Sequence, residues 1–165
     1  MKTSIKLFLS GSIQPILIIS GGQTGVDRAA LDAAIDAGLP HGGWCPKARR
    51  SEDGPIPAMY RLRETSSAAY HVRTARNVLD SDGTLVLLRD RLQGGTLYTV
   101  RCAEKLSRPV MTVRLNEAQP VGAVIDWMRD HAMTVLNVAG PRASSEPGIY
   151  FEAKNWLDRL FLLLA

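Results

Sequence analysis

Leu17-Ile18-Ile19-Ser20-Gly21-Gly22-Gln23-Thr24-Gly25-Val26-Asp27-Arg28-Ala29-Ala30 decides how this chain is read. A short aliphatic run passes straight into a glycine-rich turn, and the turn into an alanine-rich segment. Glycines at such a junction let the backbone turn tightly and approach a ligand. The first N–H groups of the following helix lack intrahelical partners and carry partial positive charge, which suits a phosphate. The spacing is neither the dinucleotide G-x-G-x-x-G nor a Walker A loop, because no G-K-[ST] follows. Gly21, Gly22, Gln23, Thr24 and Gly25 are therefore candidate anion-binding residues without an implied NAD or ATP. Asp27 fits a capping or dipole-complementing role in the first helical turn.

The same strand-then-helix pattern repeats along the chain. Apolar runs at 16–20, 43–45 (weak), 84–88, 110–115 and 134–139 alternate with helical patterns at about 25–37, 68–79, 96–107, 120–131 and 149–164. Such alternation predicts βαβ units, hence an α/β three-layer sandwich with a mainly parallel central sheet. Leu85-Val86-Leu87-Leu88 has the continuous aliphatic character of a strand covered on both faces. Residues 1–15 read as an N-terminal extension and 16–165 as one ligand-binding domain. The connection over 40–68 is rich in proline and glycine, carries Lys47 and Arg50, and reads as a functional loop.

Two further loops follow predicted strands. Gly94-Gly95-Thr96 opens a helix with Thr96 as candidate N-cap. Gly140-Pro141-Arg142-Ala143-Ser144-Ser145 precedes the last helix, which Ser144 or Ser145 would cap, leaving Arg142 free for a ligand. In open α/β sheets ligands sit outside the carboxyl ends of the strands, so these loops are expected to converge with the first. Arg73 and Asn77 lie one helical turn apart and share a face. Ser81 reads first as a turn former ahead of a strand and is kept as a further candidate.

Composition narrows the function. The chain has 20 Lys+Arg against 16 Asp+Glu, a net charge of +4, with no basic run, so nucleic acid is not an expected partner. The terminal run Leu160-Phe161-Leu162-Leu163-Leu164 falls far short of the roughly 20 residues a membrane span needs. The two cysteines, Cys45 and Cys102, have neither metal nor disulfide spacing, which predicts a reduced cytoplasmic setting. The scattered His41, His71 and His131 form no metal or triad pattern, and no metal site or catalytic residue is assigned.

Five segments together resemble the molybdenum carrier (molybdenum cofactor carrier) protein family: GGQTGVDRAALDAA at 21–34, GWCPKARRSEDGPIP at 43–57, YHVRTARNVLDSDGTLVL at 70–87, GGT at 94–96 and LNVAGPRASSEPGIY at 136–150. Alanine stands at 48 where that pattern leads one to expect glycine. The resemblance implies a Rossmann-like fold, a homo-oligomer (dimer or tetramer), and a cleft for a phosphate-bearing molybdenum cofactor of the molybdopterin type, with molybdoenzymes as acceptors. The wider superfamily includes nucleoside 5′-monophosphate phosphoribohydrolases with a P-G-G-x-G-T-x-x-E motif. Gly95-Thr96 matches its G-T and Arg73 its arginine, but Thr99 occupies the glutamate position. That departure favours a binding protein over a hydrolase, with a nucleotide-sensing module as a third reading.

Overall fold

The computed structural model describes residues 16–165, so the expected N-terminal extension lies outside the described residues. The elements run β1 (Leu17–Ile19), α1 (Val26–Asp36), β2 (His41–Gly42), β3 (Trp44–Cys45), β4 (Arg50–Ser51), β5 (Gly54–Pro55), β6 (Arg63–Glu64), α2 (Tyr70–Leu79), β7 (Gly83–Leu88), α3 (Gly94–Lys105), β8 (Val110–Arg114), α4 (Val121–Asp130), β9 (Val135–Ala139) and α5 (Ile149–Leu164). The central sheet is five-stranded in the order β2-β1-β9-β7-β8, and all its pairings are parallel.

This order has a simple origin. Number its strands by their place along the chain and it reads 2-1-5-3-4. Move β9 and α5 to the front and it becomes 3-2-1-4-5, the doubly wound order. The chain therefore carries that arrangement with its first strand and helix transferred to the end. The reversal of strand order falls between β9 and β7, and ligands bind at such a switch point.

Alternate residues of β7 supply both layers. Leu85 and Leu87 join the core that also contains Ala30 and Ala33 of α1, Val124 of α4, and Leu157, Leu160 and Phe161 of α5. Val86 and Leu88 pack on the opposite side with Val100 of α3. Each such fully buried side chain contributes about 1.5–3 kcal/mol relative to exposure. The apolar face of α5 is thus intramolecular core, whereas Phe151 and Leu162 point outward. Among the described residues no helix is long and apolar enough to cross a membrane.

The 40–68 connection has more structure than its composition predicts. The weak strand expected at 43–45 is Trp44–Cys45 and pairs with β6 outside the main sheet, while His41–Gly42, just before the expected range, extends the main sheet beside β1. Gly43 separates the two at φ 125°, where a Cβ would stand 2.3 Å from the Ser20 carbonyl oxygen. Beyond it, Arg49 donates to the carbonyls of Ile56 (2.8 Å), Pro57 (2.7 Å) and Tyr60 (2.9 Å), giving backbone acceptors outside the ladders a partner. Ala48 adopts φ 61°, a left-handed conformation that glycine takes without strain, which is why the sequence pattern calls for glycine there.

Candidate functional site

The loops after β1, β7 and β9 meet, as expected, at one edge of the sheet. They enclose a cleft of about 610 Å³, within the range of small-molecule sites. Gln23, Arg73, Gly94, Gly95, Thr96 and Arg142 of the expected residues line it.

The first glycine loop is largely occupied by the protein itself. The Gln23 N–H donates to Asp27 Oδ2 at 3.2 Å, and the Thr24 N–H to Gln23 Oε1 at 3.0 Å. The Val26 N–H donates to the Pro141 carbonyl at 3.2 Å. The anion at the head of α1 is thus Asp27, 3% exposed; it accepts the Gln23 N–H ahead of the helix and complements the helix dipole, while α1 has no side-chain capping bond. Burial pushes the Asp27 carboxyl above its ordinary range, against the opposing charge of Arg73.

The head of α3 differs in having no acidic residue in its first turn. Its N-cap is Gln93 in extended conformation with no side-chain capping bond, and Thr96 lies inside the helix rather than capping it. The first-turn amides of Gly94, Gly95 and Thr96 have no intrahelical acceptor, and these residues line the cleft. Arg91 and Gln93 stand beside them. Aromatic rings also line the cleft: Tyr70 and His71 of α2 and Tyr98 of α3, with the His71 and Tyr98 rings edge to face at 6.2 Å between centroids.

Arg73 lies deeper than its sequence suggests. Its side chain is 12% exposed, and Nη1 pairs with Asp27 Oδ2 at 3.3 Å. The guanidinium lies against Gly21, where an added Cβ would come within 2.1 Å of Nη1. Its buried Nε has no protein partner. Gly21 and Asn77 border a small polar void behind the cleft. Gly22 (φ 77°) packs against Ile56 and Leu62, and Gly25 (φ 80°) against the 141–143 backbone.

Other expected residues are spent on structure. Asn77 donates from Nδ2 to the Trp44 carbonyl (2.9 Å) and accepts the Trp44 N–H (2.8 Å), so its amide anchors β3. Ser81 is buried at the start of β7, at the sheet edge away from the cleft, where its hydroxyl donates to the Val78 carbonyl at 3.0 Å. It serves as a turn former and not as a cleft residue. Lys47 is exposed and outside the cleft lining. Arg50 donates to the Ala68 carbonyl at 3.1 Å and sits 4.8 Å from the centre of the Tyr70 ring, so it reaches the cleft only through that tyrosine.

Several cleft residues escaped the sequence reading. Arg91 belongs to Arg89-Asp90-Arg91, which looks like a charged turn. Glu146 faces the cleft at 8% exposure and accepts the Arg89 N–H at 3.2 Å. Ser144 does not cap α5, whose N-cap is Gly148 at φ 83°. Thr99 lines the cleft with its hydroxyl donating to the Gly95 carbonyl at 2.9 Å, so that position offers no acid or base. Among the described residues no three His, Cys, Asp or Glu side chains gather as a metal-holding group.

Comparison with known proteins agrees with the topology. A family model described as "Circularly permutated YpsA SLOG family" matches residues 18–161. A crystal structure of a "Putative molybdenum carrier protein" from Syntrophus aciditrophicus SB is 43% identical, covering 90% of this chain and 96% of that chain with a TM-score of 0.84. No curated protein matches. Both matches bear out the resemblance and the Rossmann-like fold read from the sequence.

Proposed function

The chain belongs to the circularly permutated YpsA SLOG family, and from that premise we propose that it binds and carries an anionic, phosphate-bearing small molecule, a molybdenum cofactor of the molybdopterin type. One observation carries the reading: the cleft at the switch point between β9 and β7 combines the uncapped head of α3 with the arginines Arg91 and Arg142. Backbone N–H groups at a helix start and guanidinium forks are both suited to phosphate oxygens. The aromatic rings of Tyr70, His71 and Tyr98 offer flat apolar surface for a ring system, and the cleft volume admits more than a bare oxyanion. The name of the relative from Syntrophus adds weight to molybdenum as part of the cargo.

In this reading Gly94, Gly95 and Thr96 hold the phosphate, Arg91 and Arg142 add charge, and Arg73 acts from beneath by fixing Asp27 and the first loop. The cofactor would bring its own redox chemistry to an acceptor molybdoenzyme. The protein's part is to bind it and shield it from water. The reading places the chain in the cytoplasm as a homo-oligomer, dimer or tetramer, with outward-facing Phe151 and Leu162 of α5 available for covering.

Native mass spectrometry of freshly purified protein tests this directly. A phosphate-bearing small molecule retained at one per chain, on an oligomer, is the expected result. Protein that carries no such molecule and takes none up from added molybdopterin or AMP overturns it. Release of free adenine from AMP above background would instead make the cleft a phosphoribohydrolase site.

A further inference from the structure

Glu52, between β4 and β5, reaches a set of donors that belong to two other loops. Its carboxylate receives the Thr24 hydroxyl, the Ser144 hydroxyl and the Ser144 N–H (3.1 Å), and lies 3.5 Å from Arg142 Nε. Thr24 Oγ1 in turn accepts the Ala143 N–H at 3.1 Å. Burial pushes the Glu52 carboxyl upward, but the bonds from Ser144 and Thr24 together with the Arg142 charge leave it below its ordinary value. Two hydroxyls, an amide and a guanidinium around one oxyanion are the charge-assisted donors that bind a phosphoryl group. Arg142 and the neighbouring Ser145 line the cleft, so this nest lies beside the space that the ligand would fill.

Holding the hairpin in place does not require Glu52. The neighbouring Asp53 makes a two-pronged pair with Arg28 at 2.6 and 2.8 Å, and the Ser51 hydroxyl also donates to it. Arg28 further donates to the Gly22 carbonyl at 3.1 Å, tying the hairpin to the first loop. The Arg28 bonds hold the Asp53 carboxyl down at about 2, so this anchor keeps its charge through the physiological range. One carboxylate anchors the segment while the next occupies a ready-made anion nest.

We propose that Thr24, Ser144 and Arg142 form a second anion site, for a second anionic group of the cleft ligand, and that Glu52 is an internal stand-in displaced when that group binds. The inference rests on the binding function proposed above and adds to it: the ligand carries two anionic groups, one at α3 and one at this nest. Like charges do not share one donor set, so Glu52 competes with the second group and weakens only those ligands that carry it.

The test is calorimetry of the full chain with inorganic pyrophosphate and, separately, with AMP, on wild type, Glu52→Gln and Glu52→Ala. Removing the competing charge is expected to tighten pyrophosphate at least fivefold in both variants and to leave AMP within twofold. Hydrogen exchange on the wild type supplies a readout that needs no variant. The Glu52 N–H, which donates to Gln23 Oε1 at 3.0 Å, is expected to exchange faster once pyrophosphate is bound. Unchanged or weaker pyrophosphate binding in the variants, or slower exchange at Glu52, makes Glu52 a latch and overturns the stand-in. If AMP still binds, the binding function survives that failure; if no form binds either probe, both readings fall.

Discussion

Arg73→Met is expected to lower the unfolding free energy by about 3–5 kcal/mol at neutral pH, the usual cost of stranding one member of a buried ion pair. Both partners are well covered, at 12% side-chain exposure for Arg73 and 4% for Asp27. Removing the guanidinium leaves the Asp27 carboxylate at the base of the cleft with the Gln23 N–H as a remaining donor. The loss should shrink on acidification. Asp27 already has a raised carboxyl pKa from burial, and losing Arg73 raises it further. A carboxyl whose folded pKa lies above its unfolded value costs stability as pH rises from the unfolded pKa to the folded one, and costs nothing below both. The Arg73→Met deficit is therefore largest at neutral pH and narrows as pH falls toward 4. Adding Asp27→Asn should recover part of it, because a neutral amide has no charge to strand. Urea melts of the two single variants and the double variant read this out. Strictly additive losses, or a deficit that grows with acid, would show that the pair is not the reason Arg73 matters.

Gly25→Ala is the other large effect, expected at about 3 kcal/mol or more. At φ 80° and ψ −129° the residue occupies backbone space that side chains avoid, costing about 1–3 kcal/mol alone. The added Cβ would also stand 2.4 Å from the Pro141 carbonyl oxygen and 2.9 Å from the Ala143 nitrogen, backbone atoms that must then move. Forced overpacking adds about 1–3 kcal/mol. The displaced segment carries Arg142 and the Ala143 N–H bonded to Thr24, so ligand affinity should fall along with stability. Gly38→Ala is the control. Its φ of 70° carries the strain, but nothing lies within 4 Å, and its cost should be near 1 kcal/mol. Equal losses in the two variants, by thermal unfolding, would mean that the close approach of the two loops contributes nothing.

Both variants bear on what could be read without coordinates. The helices and long strands were legible because their burial is periodic: α5 buries Ala153, Trp156, Leu157, Leu160 and Phe161 at three- and four-residue spacing, and β7 is apolar on both faces. The convergence of the three loops followed from parallel topology alone. Residues 40–68 were not legible, since Arg49 on distant carbonyls and Asn77 on Trp44 hold them by single side chains that leave no period. The same blindness applied to the arginines. Arg73, Arg142, Lys47 and Arg50 look alike in the sequence as candidate cations, yet of these Arg73 and Arg142 line the cleft, and Arg91, in what looks like a charged turn, lines it too. Nor does a glycine-rich junction reveal whether its amides are free. Neither helix has a side-chain cap, but at α1 the protein's own Asp27 takes the anion's place, while α3 has no acidic residue in its first turn.

The central claim is that a phosphate-bearing ligand is held at the head of α3, across from Arg142. Titration of the isotope-labelled protein with AMP, followed through backbone amide resonances, tests it most directly. The account predicts the largest shifts at Gly94, Gly95 and Thr96, with smaller ones at Arg142 and in the Tyr70 and Tyr98 region. Shifts confined to residues 21–26, or none at saturating AMP and molybdopterin, would contradict it.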